Sequence, residues 1–196
     1  MKYKNIVFDF GNVIGKFDGH YIMEHFCSDE SDIQFLSSVI YRSWPELDKG
    51  TIDYDEYGAS VLAEIPDRLQ EAARSFFREW PRYVELFPET ERFIRELKEK
   101  GASVYLLSNA PTYFAEWTAD YPVLRLFDGI VFSAPIKMAK PAPEIYQYLF
   151  RTYDLRPEDC FFIDDLEANI SAGKSLGMDG VVFSGNIDEV KQAICL

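Results

Sequence analysis

The chain has 196 residues, 47% of them hydrophobic, which suits one α/β domain or a core domain with a small insert and excludes disorder. Its 33 acidic and 20 basic residues leave a net charge of −13; this argues against a nucleic-acid partner and against binding an anionic membrane surface, since both need Lys and Arg. No run approaches the ~18 apolar residues of a membrane span, the opening Met1-Lys2-Tyr3-Lys4 carries no apolar leader, and Cys27, Cys160 and Cys195 form neither a disulfide framework nor a zinc spacing, so a cytoplasmic location is expected.

The first element is an apolar run, Ile6–Phe8, that ends in Asp9 and turns at once through Gly11-Asn12. This is the pattern of a buried parallel strand that delivers a carboxylate to the edge of a sheet, where α/β proteins bind ligands. Residues 17–86 follow with no convincing buried strand. They read as four amphipathic helices, near 20–27, 31–43, 53–64 and 67–80, with Asp53 and Pro66-Asp67 as helix starts. This insert carries 15 acidic and 6 basic residues. Placed directly after the first strand, it is expected to lie over the carboxyl edge of the sheet as a lid.

From residue 87 onward, apolar runs alternate with helical stretches. Glu89–Lys100 has Phe93, Ile94 and Leu97 on one face and Gly101 as its stop. The runs Val104–Leu107, Ile130–Phe132, Phe161–Ile163 and Val181–Phe183 read as strands covered on both faces. Pro143–Tyr153 and Asn169–Leu176 read as the helices between the later ones. The expected fold is α/β, with a Rossmann-like parallel sheet of about five strands flanked by helices. Residues 1–16 and 87–196 form the core domain, and 17–86 form an inserted all-helical cap.

Polar residues stand at three strand ends. Asp9 alone could be a turn residue. Asp164-Asp165 places two carboxylates side by side, an arrangement that resists joint ionisation unless a cation neutralises it. With Asp9 these are hard oxygen donors suited to Mg²⁺. Ser108-Asn109 offers a hydroxyl and backbone N–H groups at a strand-to-helix turn, where phosphate oxygens can be held. Lys140-Pro141 precedes the Pro143 helix and can direct a cation into the site; Lys137 competes for that part. His20 and His25 do not share a helix face and are not a metal pair. Trp44, Tyr41 and Arg42 are candidates to reach a substrate from the insert. Glu167 and Asn169 either order water at the acidic pair or cap the helix that follows.

In order and spacing the four segments Asp9, Ser108, Lys140 and Asp164-Asp165 resemble the haloacid dehalogenase (HAD) superfamily over the whole chain. Phe8-Asp9-Phe10-Gly11-Asn12-Val13, Leu107-Ser108-Asn109 and Phe162-Ile163-Asp164-Asp165 are similar to its branch of bacterial sugar-phosphate phosphatases, notably those acting on α-glucose 1-phosphate. The resemblance implies a nucleophilic Asp9 and a Mg²⁺ held by Asp9, the Gly11 carbonyl and Asp165, with Asp164 behind them. It also implies phosphoryl oxygens held by Ser108, Asn109 and Lys140, of which Lys140 is catalytic as well.

One position departs from the family pattern. Phosphatases of this kind usually carry a second Asp two residues after the nucleophile, and here that residue is Gly11. Its loss removes an acid–base group typically worth ~10²–10⁴-fold. Sugar 1-phosphates, whose leaving oxygen needs little protonation, are then expected to react faster than sugar 6-phosphates, unless Asp18 or His20 at the start of the insert supplies the proton. The expected function is therefore a Mg²⁺-dependent phosphatase of a small phosphomonoester, such as glucose 1-phosphate. Alternatives are a metal-independent 2-haloacid dehalogenase and a phosphate-binding protein without catalysis.

Overall fold

The computed structural model describes the backbone of all 196 residues and every side chain except that of Asp120. The chain begins with β1 (Asn5–Phe8) and β2 (Gly15–Lys16), then enters the insert through α1 (Gly19–Glu24), α2 (Glu30–Ile40), α3 (Trp44–Asp48), α4 (Tyr54–Glu64) and α5 (Gln70–Glu79). It returns by β3 (Glu85–Leu86) to α6 (Pro88–Glu99), β4 (Ser103–Ser108), α7 (Thr112–Trp117), β5 (Gly129–Phe132) and α8 (Ser133–Ile136). The last part is α9 (Pro143–Thr152), β6 (Cys160–Asp164), α10 (Glu167–Ser175), β7 (Asp179–Val182) and α11 (Ile187–Ala193).

Five strands form one parallel sheet in the order β5-β4-β1-β6-β7, so β1 is central and the strand order reverses across it. The side chains of β1 alternate between two apolar layers. Ile6 and Phe8 pack with α6 residues Phe93, Ile94 and Leu97, while Val7 packs with α9 residues Ile145, Tyr146 and Leu149. Both faces are covered, which is why these strands read as unbroken apolar runs. The last strand starts two residues before its apolar run: Gly180 lies so close to the Phe162 carbonyl that a Cβ there would sit 2.6 Å from it. The run-based reading passes over a glycine whose value is its missing side chain.

The insert holds five α-helices rather than four. Expected helix 31–43 stops at Ile40, and Trp44–Asp48 forms a separate helix with Pro45 in its first turn. Pro45 has no N–H to continue the ladder, and its ring clashes with the carbonyl four residues back. Asp53 caps α4 by accepting from the N–H groups of Asp55 and Glu56, as expected. Phe17, Tyr41, Trp44, Phe76 and Trp80 pack edge to face with one another. Trp80 then stacks on Phe114 of the core at 5.1 Å, so insert and core share one apolar cluster. The chain enters and leaves the insert through an antiparallel ribbon in which Gly15 pairs with Leu86 and Lys16 with Glu85.

Candidate active site

The register of the sheet assembles the polar strand ends. Phe8 lies opposite Leu106 on one side and Ile163 on the other, so Asp9 emerges level with Leu107 and Asp164, one residue short of Ser108, whose hydroxyl bonds its carboxylate. The Asp9 N–H donates to the Ile163 carbonyl at 2.9 Å, carrying the ladder one residue past β1. A cleft of about 240 Å³ opens at this edge. Asp9, Gly11, Ser108, Asn109, Lys140 and Asp165 line its floor, and Phe17, Trp44, Asp48 and Trp80 reach it from the insert.

Lys140 is the hub. Its Nζ lies 2.8 Å from Asp9 Oδ1 and 2.6 Å from Asp164 Oδ2, and its side chain is wholly buried. The competing Lys137 is exposed in a left-handed turn. Burial acts to lower the Lys140 pKa, but the charges of Asp9 and Asp164 win and raise it above its ordinary value, so the ammonium stays charged. Burial pushes Asp9 up to about 6, with the charge of Asp164 adding to it, while Lys140 and the Ser108 hydroxyl pull the other way.

The two acids of the pair have different surroundings. Asp164 is fully buried and accepts from Lys140, from the Leu166 N–H and, through both oxygens, from Asn169 Nδ2. Asp165 is half-buried, and its Oδ2 accepts from Asn12 Nδ2 at 3.0 Å. Asn12 takes a left-handed conformation, φ 54°, that asparagine tolerates, and its Oδ1 accepts from the Phe17 N–H. It thereby joins the turn after Asp9 to the first residue of the insert. Asp9, Asp164 and Asp165 bring carboxylate oxygens within 4.8 Å of one another. One lysine does not balance three carboxylates. With Asp164 committed to its own partners, Asp9 and Asp165 are the hard donors that fit a divalent cation.

The remaining candidates have partners of their own. The Asn109 side chain faces the Lys140 peptide, donating to its carbonyl at 2.9 Å and accepting from its N–H at 2.8 Å. It orients the lysine, although Asn109 also lines the cleft. Arg42 pairs with Glu64 on the surface. His20 stands beside Glu24 and Glu30, and His25 stacks on Tyr83. Asp18 caps α1, and the Tyr21 N–H holds its carboxyl below the usual range; an acid kept ionised is a poor proton donor. Glu167 accepts from Ser171 in the first turn of α10, away from the acidic pair.

Asp48 in the cleft and Ser133 behind it carry no signal in the sequence. Ser133 accepts from the Ala110 N–H at 2.9 Å and donates to the Asp48 carbonyl. Asp48 itself ends α3 at the wall of the cleft. Burial, with the Asp9 charge adding to it and Lys140 opposing it, raises Asp48 to about 7. The Pro45…Gly50 bracket marks a short segment but not where its acid points.

The model of haloacid dehalogenase-like hydrolases matches residues 3–177. D-ribitol-5-phosphate phosphatase of Bacteroides thetaiotaomicron is 29% identical over 192 residues, covering 90% of this chain and 89% of its own. A sesquiterpene phosphatase of Aspergillus oryzae is 26% identical, covering 91% and 89%. A haloacid dehalogenase family enzyme of B. thetaiotaomicron, solved with magnesium and inorganic phosphate, superposes with a TM-score of 0.72 at 25% identity over 94% of this chain and 96% of that one. L-2-haloacid dehalogenase of Xanthobacter autotrophicus shares the fold, with a TM-score of 0.64 at 17% identity over 91% and 76%.

Proposed function

The chain belongs to the haloacid dehalogenase-like hydrolases, and we propose that within them it is a Mg²⁺-dependent phosphatase acting on a small phosphomonoester through an aspartyl-phosphate on Asp9. The observation that carries this reading is Lys140, buried between Asp9 and Asp164 at the edge of a three-carboxylate cluster.

Asp9 and Asp165, with the Gly11 carbonyl, would hold Mg²⁺. Bound there, the cation would offset the charge of the phosphoryl group and let a dianion approach a carboxylate. Lys140 keeps one Asp9 oxygen in a fixed direction, which leaves the other to attack phosphorus. The Lys140 ammonium, the Ser108 hydroxyl and the Asn109 backbone face the phosphoryl oxygens as charge develops. Asp164, held by Asn169 and Leu166, fixes Lys140 and takes no part in the bond changes. The helices of residues 17–86 act as the cap, and their aromatic side chains keep water out of the cleft.

The family resemblance puts sugar phosphates first as substrates, glucose 1-phosphate among them. The aromatic edges of Phe17, Trp44 and Trp80 give the cleft an apolar wall against which the C–H face of a sugar ring can pack. A second reading is favoured by those same walls. Among the described residues Asp48 is the one charged side chain that the insert gives the cleft, so an aryl or apolar alcohol monophosphate fits the leaving-group end as well.

The test is a panel of sugar, alkyl, aryl and prenyl phosphates with Mg²⁺ and with chelator, alongside 2-haloacids. Phosphate release that needs Mg²⁺ and disappears in Asp9→Asn is the expected result. Chloride release from a 2-haloacid in chelator would replace it with the dehalogenase reading, and tight phosphate binding without turnover would replace it with a binding protein.

A further inference from the structure

We propose that Asp48, brought in by the helical insert, is the acid–base residue of the reaction, protonating the oxygen that leaves phosphorus and later activating the water that hydrolyses the Asp9 acyl phosphate. This rests on the phosphatase reading above and assigns the role that Gly11 cannot fill.

Three observations meet at Asp48. It lines the cleft that holds Asp9, on the wall formed by the insert. Its Oδ1 is shielded from solvent and has no hydrogen-bond partner among the described residues. A buried polar oxygen left unpaired is costly, so the Asp48 carboxyl gains a partner by turning toward a substrate oxygen in the cleft. The third observation is how firmly the residue is placed. Its backbone carbonyl accepts from Ser133 at the head of α8, and the turn that follows presses Gly50 against Ala134. A Cβ on Gly50 would sit 2.2 Å from the Ala134 carbonyl oxygen, so only glycine allows this approach. The segment that fastens the insert to α8 thus carries a residue that lines the cleft.

The chemistry balances. Asp9 forms the new oxygen–phosphorus bond while the bond from phosphorus to the substrate oxygen breaks. The Asp48 carboxyl gives its proton to that oxygen, and the alcohol departs. The Asp48 carboxylate then takes a proton from water as the water oxygen attacks phosphorus. Inorganic phosphate leaves, Asp9 is free again and Asp48 is protonated. The residue must hold a proton near neutrality, and burial beside the Asp9 charge raises it to about 7 for that purpose.

Leaving-group dependence tests the role. Asp48→Asn keeps shape and polarity but carries no transferable proton. It should lower kcat/KM, which reports the step that releases the alcohol, by ~10²–10⁴-fold on glucose 6-phosphate and by less than about 10-fold on p-nitrophenyl phosphate, whose leaving group departs as an anion. An equal loss of kcat/KM on both esters, with the circular dichroism spectrum unchanged and the melt still cooperative, overturns the proposal and leaves a positioning role. If Asp48→Asn does not fold, a series of substituted phenyl phosphates in the wild-type enzyme decides. A shallow dependence of rate on leaving-group pKa supports a proton donor, and a steep one overturns it. The phosphatase reading is judged separately: it fails if the wild type hydrolyses none of these esters, whereas Asp48 alone fails if hydrolysis is normal and the loss is uniform.

Discussion

Asn109 grips the Lys140 peptide at both ends, donating to its carbonyl and accepting from its N–H. The pair ties the loop after β4 to the loop before α9 and so aims the buried Lys140 at Asp9. Asn109→Ala should leave Lys140 charged but misaimed, and a displacement of about 1 Å can cost ~10²-fold in rate. Two lost hydrogen bonds should also lower stability by about 1–3 kcal/mol. Steady-state kinetics and thermal melts of the same preparation check both, and a variant with unchanged kcat would show that Lys140 is aimed by Asp9 and Asp164 alone.

Asp165→Asn and Asp164→Asn should separate metal affinity from folding. The first removes a donor that would face Mg²⁺ and should raise the half-saturating Mg²⁺ concentration at least as much as the ~10–100-fold typical of a group behind the metal's ligands. Its thermal midpoint should barely move, because Asp165 is half-buried and has Asn12 as its side-chain partner. The second breaks a fully buried pair with Lys140 and should cost about 3–5 kcal/mol in stability. Activity titrated against Mg²⁺, paired with melts, reads the two effects. The reverse pattern would exchange the roles of the two acids.

Stability of the metal-free protein should depend on pH through Asp9 and Asp48. Both are raised in the folded state, to about 6 and about 7, above their ordinary value of 3.8. The folded protein therefore holds these protons more tightly than the unfolded chain does. Their contribution is complete below about pH 4 and is lost as the pH rises through 6 and 7. Lys140 is also raised, but it changes charge only above 10.5 and adds no slope in this window. Asp48→Asn in chelator should then be more stable than wild type at pH 8 by on the order of 1–2 kcal/mol, after solvent screening is allowed for. The two proteins should melt together near pH 4. A variant less stable than wild type at pH 8 would mean that the Asp48 carboxylate is favourably paired.

Gly11→Asp should fold, since a Cβ there meets nothing within 4 Å and the backbone is outside the left-handed region. In the wild-type background it should change the ratio of kcat/KM for glucose 1-phosphate over glucose 6-phosphate by less than about 3-fold, because Asp48 already protonates both alcohols. In the Asp48→Asn background the same change should recover at least about 10-fold of the lost 6-phosphate activity. A large effect in wild type and none in the double variant would place the missing acid elsewhere.

The sheet was legible in the sequence for a physical reason. Strands buried on both faces are short runs of Val, Ile and Phe, and a polar residue closing such a run has nowhere to stand but the sheet edge. Asp9, Ser108 and Asp164 follow from that rule. Lys140 was preferred over Lys137 only through the family resemblance, because nothing in a single lysine says whether it is buried. Within the insert, amphipathic spacing indicated helices but carried the second one to residue 43, past its end at Ile40, and left the short α3 unread. Asp48 was invisible, since its meaning depends on how the insert docks. The contacts that decide this are a serine hydroxyl to a backbone carbonyl and a glycine against a backbone oxygen. Neither leaves a pattern in the residues near Asp48. Asn109 was readable as a polar strand end but not as a clamp, because its partner lies 31 positions away.

The two-residue ribbon between Gly15–Lys16 and Glu85–Leu86 has an evolutionary consequence. Seen from the sheet, everything between those strands is a hairpin loop whose ends already touch. A different insert can be grafted at that point with no change in the register of β1, as insertions succeed where the chain ends meet at the surface. The nucleophile and the phosphate-holding groups would survive such an exchange, because they belong to the sheet. Asp48 would not. On the proposal above, the proton donor belongs to the insert and the nucleophile to the sheet, so any other insert must bring an acid of its own or be confined to esters that fall apart without one.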